Sequence, residues 1–391
     1  NVCSARLLPL VVGVFSIILF GLLCYELKKS NIFLLGLFLF ASNSYLINYS
    51  IELRPAILFL FLSLLNIFLF VKLIKKIKKF KCTFFKIIPY ILSTLLLVNI
   101  HVFGIIVLIS QIIYVLFISI KFNQNMSKFY LAFFISIIFI FLTNLNYMID
   151  KHSDVENWVG WVMQQDGDFY YDYFFSNFFG SKIMGLFFIV LFLFLIFKFR
   201  VKIFNDNNFN FYFFILIFFS YSIPLLYGYI FEPILLDRYI IFVLIPIIYL
   251  IVSLTDEIQS FKIKNILILF VILFSLSDNL VSLNKSEPSK PDFVNAIKHI
   301  NNSSHKNFVI NASEKRKLNK IFSNYFEHLN LAKKSDSRDI ESYVFKEGSA
   351  ENSRILSFLR PLKYPDSLRP LLSVLNVTRV GVIEISALDS I

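Results

Sequence analysis

Two short stretches set an acid and a base close together at the mouth of an apolar run. In Asn48-Tyr-Ser-Ile-Glu52-Leu-Arg54-Pro55 the carboxylate and the guanidinium are two residues apart. In Phe231-Glu232-Pro233-Ile-Leu-Leu-Asp237-Arg238-Tyr239 the same chemistry opens a later apolar segment. Between them lies an aromatic and acidic loop, Asp150 to Lys182, which carries Trp158, Trp161, Tyr170, Tyr171 and Tyr173. Charge near hydrocarbon costs free energy, so ionisable groups at helix mouths are candidates for function. A carboxylate can take a proton from a hydroxyl or hold a cation through oxygen. A guanidinium matches phosphate oxygens with paired donors. Flat aromatic faces can stack on sugar rings. Each residue also has a plainer reading. Arg54 and Arg238 can anchor helix ends by snorkelling, with Glu52 and Asp237 as local partners. His101 can cap a turn, and the aromatic residues can belong to an interfacial belt.

The elements that must position these groups are membrane helices. Of 391 residues 57% are hydrophobic, and Phe alone contributes 49. Charged residues are 16%, against about 25% for an average soluble domain. Several apolar runs approach or exceed the roughly 20 residues that cross a bilayer as a helix. Helices satisfy their own backbone polar groups, which lipid cannot do. The expected fold is therefore an all-α polytopic membrane domain. About ten spans are read, near 7–27, 32–47, 55–76, 84–100, 102–120, 129–147, 183–201, 210–229, 236–254 and 264–282. His101 and Gly104 mark the turn between the fourth and fifth.

Lys and Arg set the orientation. One set of alternating connections holds sixteen of them, concentrated at Lys72 to Lys86; the other holds Arg6, Arg54, Lys151, Lys182 and Arg238. The richer set is assigned to the cytoplasm. Glu52, Arg54, His101, Asp237 and Arg238 then face outward, as do most acidic residues of the membrane part. A metal or acid–base site would account for that bias; so would a plain polar loop surface.

Residues 285–391 change character. Apolar runs shorten, and 17 Lys and Arg meet 12 Asp and Glu. Pro291 to Ile300 has helical spacing, while Asn307 to Asn311 and Thr378 to Ile385 read as strands. The division is a membrane domain over 1–284 and a small extracytoplasmic α/β domain over 285–391. The basic surplus suits anionic headgroups or a solvated surface.

Cys3, Cys24 and Cys82 are scattered and form no disulfide framework or thiol metal site. No phosphate-cradling glycine loop, HExxH pattern or internal repeat is present. The chain opens on Asn1, directly before an apolar run, without the marks of a signal peptide. The expectation is that an earlier span precedes it.

These motifs carry a resemblance. Ser4-Ala-Arg6-Leu-Leu-Pro9 resembles the Arg-Leu-Pro-Ser entry to the second span of GT-C glycosyltransferases of the family 39 type, which include protein O-mannosyltransferases and lipid A aminoarabinose transferases. Ser50-Ile-Glu52-Leu-Arg54-Pro55-Ala56 resembles their Glu-x-Arg-Pro-Tyr-Ala-Leu segment. Asn99-Ile-His101-Val-Phe103 resembles their Thr-His-Tyr-Phe turn, and Asp237-Arg238-Tyr239 their Pro-Arg-Tyr entry to a late span. The four occur in order along roughly 280 residues. Ala56 departs from the usual Tyr and Val102 from the aromatic after His. The resemblance places the principal catalytic Asp in an outer loop upstream of Asn1.

The resemblance implies transfer of a sugar from a polyprenyl-phosphate donor to an acceptor hydroxyl, with inversion, on the outer face of the inner (plasma) membrane. The acceptor would be a lipid, a glycan or a protein, and no nucleic acid is involved. Arg238 would hold the leaving phosphate. Arg54 would pair with Glu52 or with the phosphate. Glu52 would orient the acceptor or bind a divalent cation. His101 and Asp237 are further catalytic candidates; Tyr239, Trp158 and Trp161 are candidates for substrate binding. Two rivals stand beside this reading. A lipid-linked glycan polymerase or ligase would need several Arg in one long outer loop, and Asp150 to Lys182 has none. A transporter or flippase of lipid-linked sugars would need polar groups deep in several spans and two similar halves.

Overall fold

The computed structural model describes residues 2–27, 33–52, 54–79, 83–150, 177–179, 182–203, 209–231, 234–284, 308–310 and 382–384. The chain divides into two compact units, 1–285 and 286–391. The first is helical: α1 (Val2–Leu27), α2 (Phe33–Ala41), α3 (Ser44–Ser50), α4 (Ala56–Lys78), α5 (Ile88–Ile100), α6 (Gly104–Phe122), α7 (Ser127–Asp150), α8 (Lys182–Ile203), α9 (Asn210–Ile230), α10 (Leu244–Asp256) and α11 (Phe261–Asn284). Short 3-10 segments precede α5 (Phe84–Lys86) and α10 (Asp237–Val243), and a single turn covers Asn177–Phe179. In the second unit the described residues form one antiparallel strand pair, β1 (Phe308–Ile310) and β2 (Val382–Glu384), with Phe308 opposite Glu384. Both strands fall inside the segments expected to be extended. The helix expected over Pro291 to Ile300 lies outside the described residues.

Five helices among the described residues are long and apolar enough to cross a membrane: Arg6–Leu27, Ala56–Lys78, Gly104–Phe122, Asn210–Ile230 and Arg238–Asp256. Ile88–Ile100, Ser127–Thr143 and Gly185–Phe199 are shorter apolar helices. The single span expected over 32–47 is instead two helices, α2 and α3. Asn43 makes the break: its backbone is extended and its side chain accepts the Leu46 N–H at 3.0 Å, capping α3. Its Nδ2 donates to the Phe178 carbonyl at 2.7 Å, and Ser42 Oγ meets Ser275 Oγ at 2.8 Å. The broken backbone is thus stitched to the 177–179 turn and to α11, as an interruption shielded from water must be.

α4 is the hub. It packs against α1, α5 and the 3-10 segment before α10, while α6 pairs with α9 and α5 with α7. Outward faces stay apolar: Leu7, Leu10, Val14, Ile18 and Leu22 are exposed on α1, and Leu131, Phe134, Ile138 and Phe141 on α7. The interior holds a polar knot that joins four helices. Asn66 of α4 donates to Ser93 Oγ (3.1 Å) and Thr94 Oγ1 (2.9 Å) of α5. Gln111 of α6 donates to Asn66 Oδ1 at 2.8 Å and accepts the Tyr90 hydroxyl at 2.7 Å. It also reaches Tyr212 Oη of α9 at 3.5 Å. All these side chains are buried. An amide in an apolar interior needs such partners, and helix–helix hydrogen bonds fix how the helices register.

Candidate functional site

The Glu52–Pro55 turn leads into α4. Arg54 N–H bonds to the Glu52 carbonyl at 2.9 Å, and Phe59 N–H to the Pro55 carbonyl at 2.8 Å starts the helix. Pro55 suits this place, because its fixed φ matches the first turn and that turn needs no donor from it. Phe59 follows one turn later on the same face. At the far end of α5 the chain turns within His101–Phe103. The His101 N–H bonds to the Leu97 carbonyl at 3.2 Å and the Gly104 N–H to the His101 carbonyl at 2.9 Å. A Cβ on Gly104 would stand 2.8 Å from Leu97 Cγ and 3.1 Å from its carbonyl oxygen, so only glycine fits without displacing the turn. Arg238 and Tyr239 lie in the first turn of the 3-10 segment, and the chain from Ile240 to Ile245 is completely buried.

These three places meet. Arg54, Pro55, Ala56, Phe59, His101, Arg238 and Tyr239 line a cavity of about 390 Å³. The His101 ring lies between Phe59 (centroids 4.8 Å apart) and Tyr239 (4.7 Å), with Phe103 at 5.3 Å. The Arg238 guanidinium stands 5.4 Å over the Tyr239 ring. Phe242 closes on Phe59 edge to face at 5.5 Å. His101 Nδ1 accepts the Phe103 N–H at 3.2 Å, so the ring proton sits on Nε2. Burial, and then the Arg238 charge beside it, push its pKa down to about 4. His101 is therefore a neutral donor at physiological pH.

Arg54, His101, Arg238 and Tyr239 share the cavity. Glu52 is largely shielded and sits beside it, its Oε2 3.5 Å from Arg54 Nε. The backbone of Asp237 opens the 3-10 segment next to Arg238, while its side chain, Trp158 and Trp161 lie outside the described residues. Among the described residues no three His, Cys, Asp or Glu side chains gather as a metal site. Sequence reasoning missed Pro55, Ala56 and Phe59 as lining residues. Pro55 carried a signal as the residue after Arg54 at a helix start; Phe59 carried none among so many phenylalanines.

The opposite helix ends are basic. Lys75 at the end of α4 donates to the Glu26 carbonyl and, at 3.1 Å, to its carboxylate. Lys264 reaches Asp256 Oδ1 at 2.6 Å. Twenty residues of helix separate Pro55 from Lys75, about 30 Å at 1.5 Å per residue. The cavity and the lysine-rich ends thus lie at opposite ends of one apolar bundle. Comparisons with protein-family models, with curated proteins and with solved structures find no match to this chain.

Proposed function

We propose that the chain is a membrane glycosyltransferase of the GT-C kind, moving a sugar from a polyprenyl-phosphate donor to an acceptor hydroxyl on the extracytoplasmic face of the inner membrane. The observation that carries the reading is the cavity itself: Arg54 and Arg238 line it together with Pro55, Ala56, Phe59 and Tyr239. An anionic head on an apolar stem is the complement of that lining. The orientation rests on the lysine-rich opposite ends, which the charge rule assigns to the cytoplasm. In this reading about ten helical crossings, the break in 32–47 included, carry the site, and 285–391 form an α/β domain on the same outer side.

The reaction is a substitution at the anomeric carbon. A carboxylate takes the acceptor proton as the acceptor oxygen attacks from the face opposite the phosphate. The bond from the anomeric carbon to the phosphate oxygen breaks, and the phosphate leaves with the electron pair. Arg238 and Arg54 stabilise its charge, a contribution that grows in a partly dry site. Glu52, beside Arg54, orients the acceptor. Trp158 and Trp161 supply stacking faces for the sugar. Among the described residues the carboxylate beside the cavity is Glu52, which Arg54 engages, and no step is routed through a metal.

The flippase reading draws on the Asn66–Gln111 knot, which does put polar groups deep in several helices. Those groups bond to one another, which favours a role in packing. The test is transfer by full-length protein in sealed proteoliposomes, given radiolabelled polyprenyl-phosphate sugars and a panel of lipid, glycan and peptide acceptors. Labelled product is expected, and its loss in an Arg54→Ala, Arg238→Ala double variant. Movement of donor across the bilayer without product would reject the enzyme and favour the flippase.

A further inference from the structure

The cavity's third polar member has a geometry that limits its chemistry. His101 is wedged between Phe59 and Tyr239 in a turn fixed by Gly104. Its Nδ1 lone pair is occupied by the Phe103 N–H. One ring atom therefore remains for a ligand, Nε2, and it carries a proton. Among the described residues the charged groups lining the same space are Arg238 on the 3-10 segment and Arg54 on the turn before α4, with Glu52 held against Arg54. Burial and the Arg238 guanidinium oppose a positive charge on the ring. A base here would need a free lone pair, and the ring offers none.

We propose that His101 donates its Nε2–H to a phosphate oxygen of the donor, as a neutral third arm of the anion site formed with Arg54 and Arg238, and takes no part in proton transfer. The inference rests on the glycosyltransferase reading for the source of the phosphate. Low basicity supports it, since the imidazole stays neutral down to a pH of about 4. A neutral donor binds the phosphate while adding no charge that would slow product release.

The experiment uses full-length protein in nanodiscs with decaprenyl phosphate as probe, and inorganic phosphate as a second arm. His101→Gln keeps an amide N–H near the Nε2 position; His101→Phe keeps the ring stack and removes the donor. Affinity for the lipid is expected to stay close to wild type in His101→Gln. In His101→Phe it falls about tenfold or more, the loss expected for one hydrogen bond to a charged partner. The ratio of wild-type to His101→Gln affinity is expected to stay flat between about pH 5 and 8, where an ordinary histidine would gain its charge. Imidazole ¹⁵N spectra, assigned by the signal lost in His101→Gln, should show Nδ1 bare and Nε2 protonated across that range, independently of whether His101→Phe folds.

Wild-type affinity in His101→Phe, a ratio that climbs below pH 6.5, or an Nε2 without its proton would each overturn the inference while leaving lipid binding intact. No binding of decaprenyl phosphate by wild type would overturn the reading beneath it. Inorganic phosphate is expected to bind far more weakly than the lipid. Equal affinity would assign the site to a free phosphate and overturn the lipid donor.

Discussion

Arg238→Ala removes the guanidinium that stands over Tyr239 and shares a cavity with Arg54 and His101. A bare charge pair at 4 Å is worth about 4 kcal/mol at an effective dielectric of about 20, which sets the upper bound. The net worth of a hydrogen bond to a charged group is about 1.5–3 kcal/mol. Arg238 is half-buried, so we place the loss at about 2–3 kcal/mol, or roughly 30- to 150-fold in transfer. Arg238→Lys separates the two roles open to this residue. Lysine keeps the charge and can still snorkel, but loses the planar fork. A phosphate clamp predicts Lys well below wild type, by about tenfold; an anchor predicts full activity. The assay is initial-rate transfer from the polyprenyl-phosphate sugar, with membrane insertion checked in parallel. Full activity in both variants, or loss that tracks insertion alone, would refute the assignment. Because Arg238 also helps hold down the His101 pKa, Arg238→Ala should raise it while leaving it below 6.5, burial being the larger cause.

Gln111→Leu removes the bonds to Tyr90 and Asn66 and leaves buried partners behind. We expect a stability loss of about 1–3 kcal/mol in detergent unfolding, and less than additive loss when Tyr90→Phe is combined with it. Gly104→Ala crowds Leu97 and should cost about 1–3 kcal/mol, as overpacking does, with weakened lipid-phosphate binding because the His101 turn shifts. Acid should destabilise through His101. Its folded pKa of about 4 lies below the unfolded 6.5, so the unfolded chain binds more protons in that window and stability falls as pH drops from about 6.5 towards 4. The unfolding midpoint of His101→Gln should depend less on pH over that range.

The site was partly legible because its charged members break a pattern. Arg54 and Arg238 stand out at the start of long apolar runs, and Gly104 after His101 announces a turn. Phe59 could not be picked out among 49 phenylalanines; only the packing of α4 against the 3-10 segment shows that it lines the cavity. The break in 32–47 was hidden because Ser42 and Asn43 are tolerated within apolar helices. What ends α2 is the capping and cross-linking of Asn43, partly through Phe178, 135 positions along the chain. Asn66 and Gln111 are visible as polar residues inside spans, yet local periodicity does not say that they converge. That depends on which helix faces meet, and apolar faces all around leave the periodic signal weak.

The central claim is that Arg54, His101 and Arg238, far apart in sequence, close on one lipid-phosphate head. The direct test is photocrosslinking of full-length protein with a polyprenyl phosphate bearing a diazirine near its head, with adducts mapped by peptide mass. The account predicts adducts in 54–59, in 101–103 and in 238–239 together, all suppressed by excess unlabelled lipid. Adducts confined to one of these segments, or competed adducts at the lysine-rich end of α4 or the start of α11, would contradict it.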